Sequence, residues 1–355
     1  MHIPGNAANA MVVLPHEGVL VEDIKTLGIP VHILNLGVLR RKYMTPWGIV
    51  GRVFLWLIAI RQLKELIKKN NIQRIYVNSA NVIIGPTLKQ KNQTELVWHL
   101  HEIVEHPTVL KKFLVYLIGK ADKIIAVSKA TQTFWKNAIG KKPVHLLYNG
   151  MDLSKYSNVP CNKKSILPNA SPNETWVGMI GRVQPWKGQH YLLDIIEQYL
   201  KQNPSDTLTR FLIAGDAYPG YEKLALELRL AIERNELFKR VIYLGYRSDI
   251  PQLLASLDLL VLPSTSPDPL PTVVLEAMAA GKPVLATAQG GAMEMVVDQE
   301  TGRFMPIGNA KQAATILTEL LQDKTRLIEM GTAGRRRVEK EFSAAAFANN
   351  WSKLC

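Results

Sequence analysis

Short apolar runs recur along the whole chain, and between them lie longer stretches in which apolar positions return every three or four residues. In the first half the runs fall at Met11–Leu14, Val31–Leu34, Arg74–Asn78, Leu96–Leu100, Lys123–Val127 and Val144–Tyr148. In the second half they fall at Thr175–Ile180, Arg210–Ala214, Val241–Leu244, Asp258–Leu262 and Pro283–Thr287, with a short one at Arg303–Met305. The runs predict strands and the periodic stretches predict helices. Such alternation implies an α/β protein with two doubly wound parallel-sheet, Rossmann-like domains, each sheet covered by helices on both faces. The polar, proline-containing segment Leu153–Glu174 reads as a linker. It divides a first domain, residues 1–155, from a second, residues 175–335, with 156–174 between them and a helical tail over 336–355. Ligands in such sheets sit at the carboxyl ends of strands, so the two domains are expected to face a cleft.

The stretch from Asp258 to Gly302 carries the densest set of signals. Leu259–Leu262 ends at Pro263-Ser264, a proline-interrupted loop follows, and helix-forming residues run from Thr272 through Glu276 to the stop at Gly281. After Pro283–Thr287, the turn Gln289-Gly290-Gly291 leads into a short helix with Glu294. Strand ends and helix starts therefore converge on 264–276 and on 290–294, where free backbone N–H groups and positive dipole ends favour an anion. A second glycine turn, Ile180-Gly181-Arg182, precedes Lys187-Gly188. Its two cations could straddle a diphosphate, although the pattern is neither a Walker loop nor GxGxxG.

Composition narrows the partners. The 355 residues are 47% hydrophobic and 21% charged, enough for two cored domains. Two cysteines, Cys161 and Cys355, cannot build a disulfide framework or a multi-cysteine zinc site, which points to a reducing compartment. The start of the chain lacks the charged and apolar regions of a secretory signal. The most apolar window, Ile49–Ile60, is interrupted by Gly51 and Arg52 and is too short for a span of roughly 20 residues. The net charge of +13 lies almost wholly in the first half, which holds 20 Lys/Arg against 8 Asp/Glu in residues 1–150, leaving 23 against 22 in the rest. Arg40-Arg41-Lys42, Arg52, Arg61, Lys64, Lys68-Lys69 and Lys111-Lys112 lie among Trp47, Phe54, Trp56, Phe113 and Tyr116, a pattern of basic amphipathic helices at an anionic membrane surface. A solvated basic face over a buried stripe would give the same composition. No nucleic-acid-binding signature accompanies the charge.

His99 and His101 are two apart on a predicted strand and so share a face, with Glu102 on the other. If the strand ends near Leu100, His101 is the one at its carboxyl end.

Taken together, Gly181-Arg182 with Lys187-Gly188, Gly215-Asp216, Gly245, Asp258 with Pro263-Ser264, and Asp268 to Glu276 followed by Ala277–Val284 resemble the donor domain of retaining GT-B glycosyltransferases of family 4. Upstream, Tyr76–Ser79, Val97–Glu102, Ala126–Ser128 and Tyr148–Asp152 are similar to the acceptor domains of bacterial surface-polysaccharide transferases of that family. The resemblance implies a hexosyltransferase that moves a sugar from a UDP- or GDP-linked donor to a lipid-linked or polysaccharide acceptor in envelope, capsule or exopolysaccharide synthesis. It places Glu276 on the donor ribose. Asp268 falls where the family usually has a glutamate on the donor sugar hydroxyls, one methylene longer. Leu270 and Thr272 would present backbone N–H groups to phosphate and sugar oxygens, and Pro271 between them has none to give. Gly181, Arg182 and Lys187 would meet the diphosphate, the two cations stabilising it as it leaves. His101 would act at the reacting sugar, with Glu102 orienting it, His99 as a second possibility, and Glu294 near the donor loop. No Asp-x-Asp pair stands at a strand end, so neither a metal nor another cofactor is expected, and same-face attack needs no protein nucleophile. The tail with Phe342, Phe347 and Trp351 would pack back on the first domain. The enzyme would be cytoplasmic and peripheral at the inner face of the plasma membrane.

One departure stands out. The family begins with a strand, a glycine-rich turn and a helix before the element like Met11–Leu14, whereas here only MHIPGNAANA precedes it. Loss of a central strand would leave backbone groups unpaired, so the first domain is expected to be shortened, with reduced stability or activity. A nucleotide-sugar epimerase and an inactive binding or scaffold protein are the alternatives.

Overall fold

The computed structural model describes residues 10–36, 38, 46–90, 93–234 and 237–354. The first nine residues, Gly5 among them, and the basic run Arg40-Arg41-Lys42 lie outside the described residues. The chain divides into two compact units, Met1–Tyr148 with Ala348–Cys355, and Asn149–Phe347.

The first unit alternates strand and helix: β1 Val12–Leu14, α1 Val19–Thr26, β2 Val31–Ile33, α2 Pro46–Lys69, β3 Arg74–Val77, α3 Gly85–Leu88, β4 Glu95–Leu100, α4 Thr108–Ile118, β5 Lys123–Ala126, α5 Lys129–Ile139 and β6 Val144–Leu146. β3, β4, β5 and β6 form a parallel sheet in chain order, while β1 and β2 pair only with each other. Among the described residues no strand joins the two sheets. The larger sheet has a conventional parallel core. β4 is buried along its length apart from Glu95, because helices cover both its faces, and Trp98, Leu114, Ile118, Ile124 and Trp135 close the interior. β1 is only half-buried, and Val13 reaches the separate cluster of Ala59, Leu63 and Ile67 on α2.

The second unit continues with α6 Lys163–Ile166, β7 Thr175–Ile180, α7 Gln189–Gln202, β8 Thr209–Ala214, α8 Glu222–Arg234, β9 Val241–Gly245, α9 Ile250–Ser256, β10 Leu259–Leu262, α10 Thr272–Ala279, β11 Val284–Thr287, α11 Ala292–Met295, β12 Gly302–Met305, α12 Ala310–Gln322, α13 Lys324–Glu341 and α14 Ala344–Leu354. Residues from Ala348 onward count with the first unit. All six strands are parallel in the order β12-β11-β10-β7-β8-β9. The chain winds outward from β7 to β9, then returns to the other side of β7 at β10, so the carboxyl ends of β7 and β10 flank a topological switch point. Phe211, Ile213, Leu259, Val261 and Leu285 lie at the centre of this sheet's core. β10 and β11 are buried at every position, Leu259–Leu262 and residues 284–286 being apolar throughout and Thr287 hydrogen-bonded to the Ser264 carbonyl.

The basic amphipathic reading falls on α2 and α4. On α2, Trp47, Val50, Phe54 and Leu57 are exposed at helical spacing. Among the described residues no helix is long and apolar enough to cross a membrane.

Candidate functional site

In the second unit, the loops that leave β7 and β10 are bound to each other. After Gly181, whose N–H donates to the Ala214 carbonyl (2.9 Å), the chain turns through Pro185–Lys187 to Gly188. Gly188 has φ +84°, and a Cβ there would lie 1.9 Å from the Pro263 carbonyl oxygen, so only glycine permits both the left-handed turn and the close approach. The Thr265 N–H donates to the Trp186 carbonyl (2.8 Å), and the Gln189 amide donates to the Arg182 carbonyl (3.0 Å). These bonds bring Lys187 over the β10 loop, where its Nζ meets Asp268 Oδ2 at 2.5 Å. Both side chains are largely buried, 20% and 11% exposed, so the pair interacts through a medium less polar than water.

The turn after β11 fixes Asp268 from below. Gly290, at φ +57°, lies so near that a Cβ would stand 2.4 Å from the Asp268 carbonyl oxygen, and the Gly291 N–H donates to that oxygen at 2.7 Å. Thr287 and Gln289 side chains both donate to the Ser264 carbonyl. Two glycines and two side-chain donors thus set the path from Ser264 to Asp268.

Leu270 and Pro271 are buried beside this path, and Thr272 is exposed at the first turn of α10. Glu276 follows one turn later, half-buried. Burial raises its carboxyl above the usual glutamate range, and a hydrogen bond with the Thr272 side chain pulls the other way without cancelling it. Tyr156 lies near enough to feel Glu276: burial first, then the charges of Glu276 and Asp152, push its hydroxyl up to about 12. Arg182 is exposed, its guanidinium 5.2 Å from the Tyr218 ring. Glu294 is half-buried on α11, and its backbone carbonyl accepts from Arg337 at 2.7 Å.

In the first unit a polar cluster stands at the carboxyl ends of β3 and β4. Two buried indoles anchor it: Trp98 donates to the Ser79 carbonyl and Trp135 to the Glu102 carbonyl, both at 2.9 Å. Glu102 accepts from Ser79 Oγ (2.5 Å) and from the Ala80 N–H (2.9 Å). Its carboxylate therefore closes the β3 loop and also accepts from the His101 backbone N–H (3.3 Å), with no hydrogen bond to the His101 imidazole. That imidazole instead bonds through Nε2 to Asn78 Oδ1 at 2.7 Å. β4 ends at Leu100, with His101 just beyond it. His99 and His101 lie on one side as expected, their rings 4.4 Å apart, but His99 is only 2% exposed. Burial, aided by His101, pushes His99 down to about 3, with the Leu147 carbonyl acting weakly in the opposite sense. Its Nδ1 meets the Tyr76 hydroxyl at 2.5 Å, and its Nε2 makes no hydrogen bond of good geometry. Burial also lowers His101, although the Glu102 charge raises it.

The structure thus gathers Lys187, Asp268 and Gly290 into one cluster and places Glu276 on the adjoining helix. Asn78, Tyr76 and Tyr156 were not singled out for their side chains in the sequence. The Ser79–Glu102 and Tyr76–His99 contacts each link residues 23 apart, too distant for any local pattern to reveal. Ser264, at the start of the expected 264–276 anion site, has a buried hydroxyl with no hydrogen-bond partner among the described residues. No group of three or more His, Cys, Asp or Glu among the described residues is arranged to hold a metal ion.

Comparison with known proteins defines the class. The family described as glycosyl transferases group 1 matches residues 164–337, and glycosyltransferase family 4 matches residues 13–155. The crystal structure of Anabaena HepE in complex with UDP superimposes with a TM-score of 0.81 at 28% identity, covering 97% of this chain and 91% of that one. The chain is 27% identical over 297 residues to a GDP-mannose-dependent monoacylated α-(1-6)-phosphatidylinositol monomannoside mannosyltransferase of Corynebacterium glutamicum, covering 79% of this chain and 75% of the relative. It is also 27% identical over 233 residues to the lipopolysaccharide core biosynthesis mannosyltransferase LpsB of Rhizobium meliloti, covering 64% of this chain and 63% of the relative, just under two thirds of its length. Two adjoining family matches and a neighbour over nearly the full length agree. The chain belongs to the group 1, family 4 glycosyltransferases, retaining enzymes of the GT-B fold that use nucleotide-sugar donors.

Proposed function

We propose that this enzyme moves a hexose from a UDP- or GDP-linked donor to a lipid-linked or polysaccharide acceptor in bacterial envelope, capsule or exopolysaccharide synthesis. The observation that carries the donor side is the Lys187–Asp268 pair at the switch point, pinned by Gly188 and Gly290 and followed on α10 by the half-buried Glu276. Glu276 accepts hydrogen bonds from the ribose hydroxyls. Asp268 accepts from the donor sugar, and the N–H groups of Leu270 and Thr272 face phosphate and sugar oxygens, while Pro271 shapes the entry to α10. Gly181 lets the backbone approach the diphosphate.

As the glycosidic bond breaks, negative charge grows on the departing diphosphate. Lys187 and Arg182 stabilise that charge as preformed cations, in place of a metal ion. Without donor, Lys187 is neutralised by Asp268, so donor binding transfers its charge from the carboxylate to the phosphates. The acceptor hydroxyl attacks from the face that the nucleotide leaves and passes its proton to a phosphate oxygen. In the first unit His101 hydrogen-bonds a hydroxyl of the reacting sugars, with His99 behind it. Glu294 supports the donor loop.

The charge of the first half and the exposed Trp47, Val50, Phe54 and Leu57 of α2 support attachment to an anionic membrane surface, at the cytoplasmic face of the plasma membrane. The Corynebacterium relative, whose printed activity concerns a phosphatidylinositol mannoside, supports a lipid-linked acceptor. Calorimetric titration with UDP- and GDP-sugars, followed by a donor panel with purified membranes, tests the reading. It requires binding and turnover of one donor class, and absence of any nucleotide binding contradicts it.

The separation of β1–β2 from β3–β6 favours one other reading, a nucleotide-sugar-binding protein without transfer. Tight donor binding with no turnover would select it.

A further inference from the structure

Asn78 and His101 each stand one residue beyond the end of neighbouring strands. β3 ends at Val77 and β4 at Leu100, and the two are in parallel register with Val77 opposite Trp98. Asn78 is held from both directions: Val77 precedes it in the sheet, and the Ser79 that follows is fixed by the Trp98 indole through its carbonyl and by Glu102 through its hydroxyl. The Asn78 carboxamide oxygen then stands 2.7 Å from His101 Nε2. An amide oxygen only accepts hydrogen bonds, so with the carboxamide in this orientation the imidazole nitrogen facing it carries the proton. Which ring nitrogen of a neutral histidine is protonated is decided by the bond that the other partner offers.

We propose that Asn78 is a positioning residue that holds His101 with its proton on Nε2, leaving Nδ1 as a hydrogen-bond acceptor for a sugar hydroxyl. The proposal rests on the placing of His101 at the reacting sugars. The surroundings favour a neutral ring. The titratable groups that act on His101 are Glu102 and His99: Glu102 is occupied by Ser79 and Ala80, and His99 is buried, neutral near physiological pH and bonded at Nδ1 to Tyr76. Tyr76 is in turn packed edge-on against Trp351, with ring centroids 5.1 Å apart, so the end of the chain backs the Tyr76–His99 pair. His101 therefore lies against an uncharged imidazole, tilted at 50° to it, which does not repel a proton shared at Nδ1. An acceptor nitrogen suits a site where a hydroxyl must be oriented or relieved of its proton.

Two variants separate tautomer control from packing. Asn78→Leu fills the volume without an acceptor, and Asn78→Asp keeps an acceptor and adds a charge. Long-range ¹H–¹⁵N spectra of the whole protein, with His101 assigned by its loss in His101→Gln, read the tautomer without reference to activity. The wild type should carry the proton on Nε2, and Asn78→Leu should show a mixture of tautomers. Its kcat should fall about tenfold with donor affinity unchanged, a part of the roughly 10²–10⁴ that positioned acid–base groups contribute. Asn78→Asp should retain the tautomer and raise the His101 pKa by about 1 or more, since a carboxylate favours the imidazolium. The acid limb of its kcat profile should rise with it, and kcat should approach the wild-type value above that limb. A wild-type proton on Nδ1, or an Asn78→Leu spectrum like the wild type, overturns the proposal. If the tautomer responds as described while kcat and its pH profile stay unchanged, Asn78 does set the tautomer but His101 is removed from the reacting sugars.

Discussion

The two units use the same alternation of strand and helix but differ in how their sheets are closed. In the second, six parallel strands form one sheet, and the loops at its switch point are bound backbone to backbone through Gly188, Gly290 and Gly291. In the first, the six strands among the described residues form a pair and a quartet, and the loops at the ends of β3 and β4 are held by side chains: two indoles, Glu102 and Asn78. A loop fixed by backbone contact has few alternatives, whereas one fixed by a few side chains depends on each of them. The donor side should therefore tolerate peripheral change, and the His101 side should respond to single polar substitutions.

The largest expected contrast is in local stability. Amide hydrogen exchange should be slower in β10 and β11 than in β1 and β2 by about 10³-fold or more, because a short two-stranded pair has little stability of its own and buried strands open only with their whole unit. Equal protection would show that the first unit is as fully closed as the second. Next, Lys187→Met should lower kcat by about 10²–10³, the usual loss when a donor to developing charge is removed. It should also lower the melting temperature, since it leaves the Asp268 carboxylate buried and unpaired, at a cost of about 3–5 kcal/mol before relaxation. The double variant Lys187→Met with Asp268→Asn should regain much of the stability but none of the rate. A recovered rate would make the pair structural only. EDTA should leave the wild-type rate unchanged.

A pH series sharpens the comparison further. Ribose hydroxyls bond more strongly to an ionised Glu276 than to a protonated one, so donor affinity should be full at neutral pH and fall as pH drops. Because burial raises its pKa, the fall should begin above the ordinary glutamate range. Calorimetry across pH 4–7 should show this limb in the wild type and not in Glu276→Gln. The smallest effect is expected on α2, where the paired changes Trp47→Ser and Phe54→Ser should weaken sedimentation with anionic vesicles by about tenfold while leaving donor affinity intact. Unchanged sedimentation would detach α2 from the membrane.

Strand positions were legible because strands buried on both faces must be apolar over their length. All twelve expected strands occur, most within a residue or two at each end, as at Thr175–Ile180 and Leu96–Leu100 against the observed β7 and β4. Their partition was not legible. Nothing in the composition of Val12–Leu14 says that it pairs with β2 alone, since pairing depends on which neighbouring edge is available. In the candidate site, Lys187 stood out for its charge beside a glycine turn, and Asp268 for falling where the resembling family usually has a glutamate. Their bond crosses 81 positions and depends on how near Gly188 brings one loop to the other. Asn78 was harder still, because an asparagine after a strand is ordinary until its neighbour across the sheet is known. Tyr156 lay in the expected linker, yet folding brings its hydroxyl under the influence of Glu276.

The central claim is that the second unit is a nucleotide-sugar clamp in which Glu276 holds the ribose. Calorimetric titration of UDP and GDP into the wild type and into Glu276→Ala tests it most directly. The expected result is tight binding of one nucleotide to the wild type and a loss of about 100-fold or more in the variant, in keeping with two hydrogen bonds to a charged group at about 1.5–3 kcal/mol each. Wild-type affinity in a folded Glu276→Ala chain would contradict the claim.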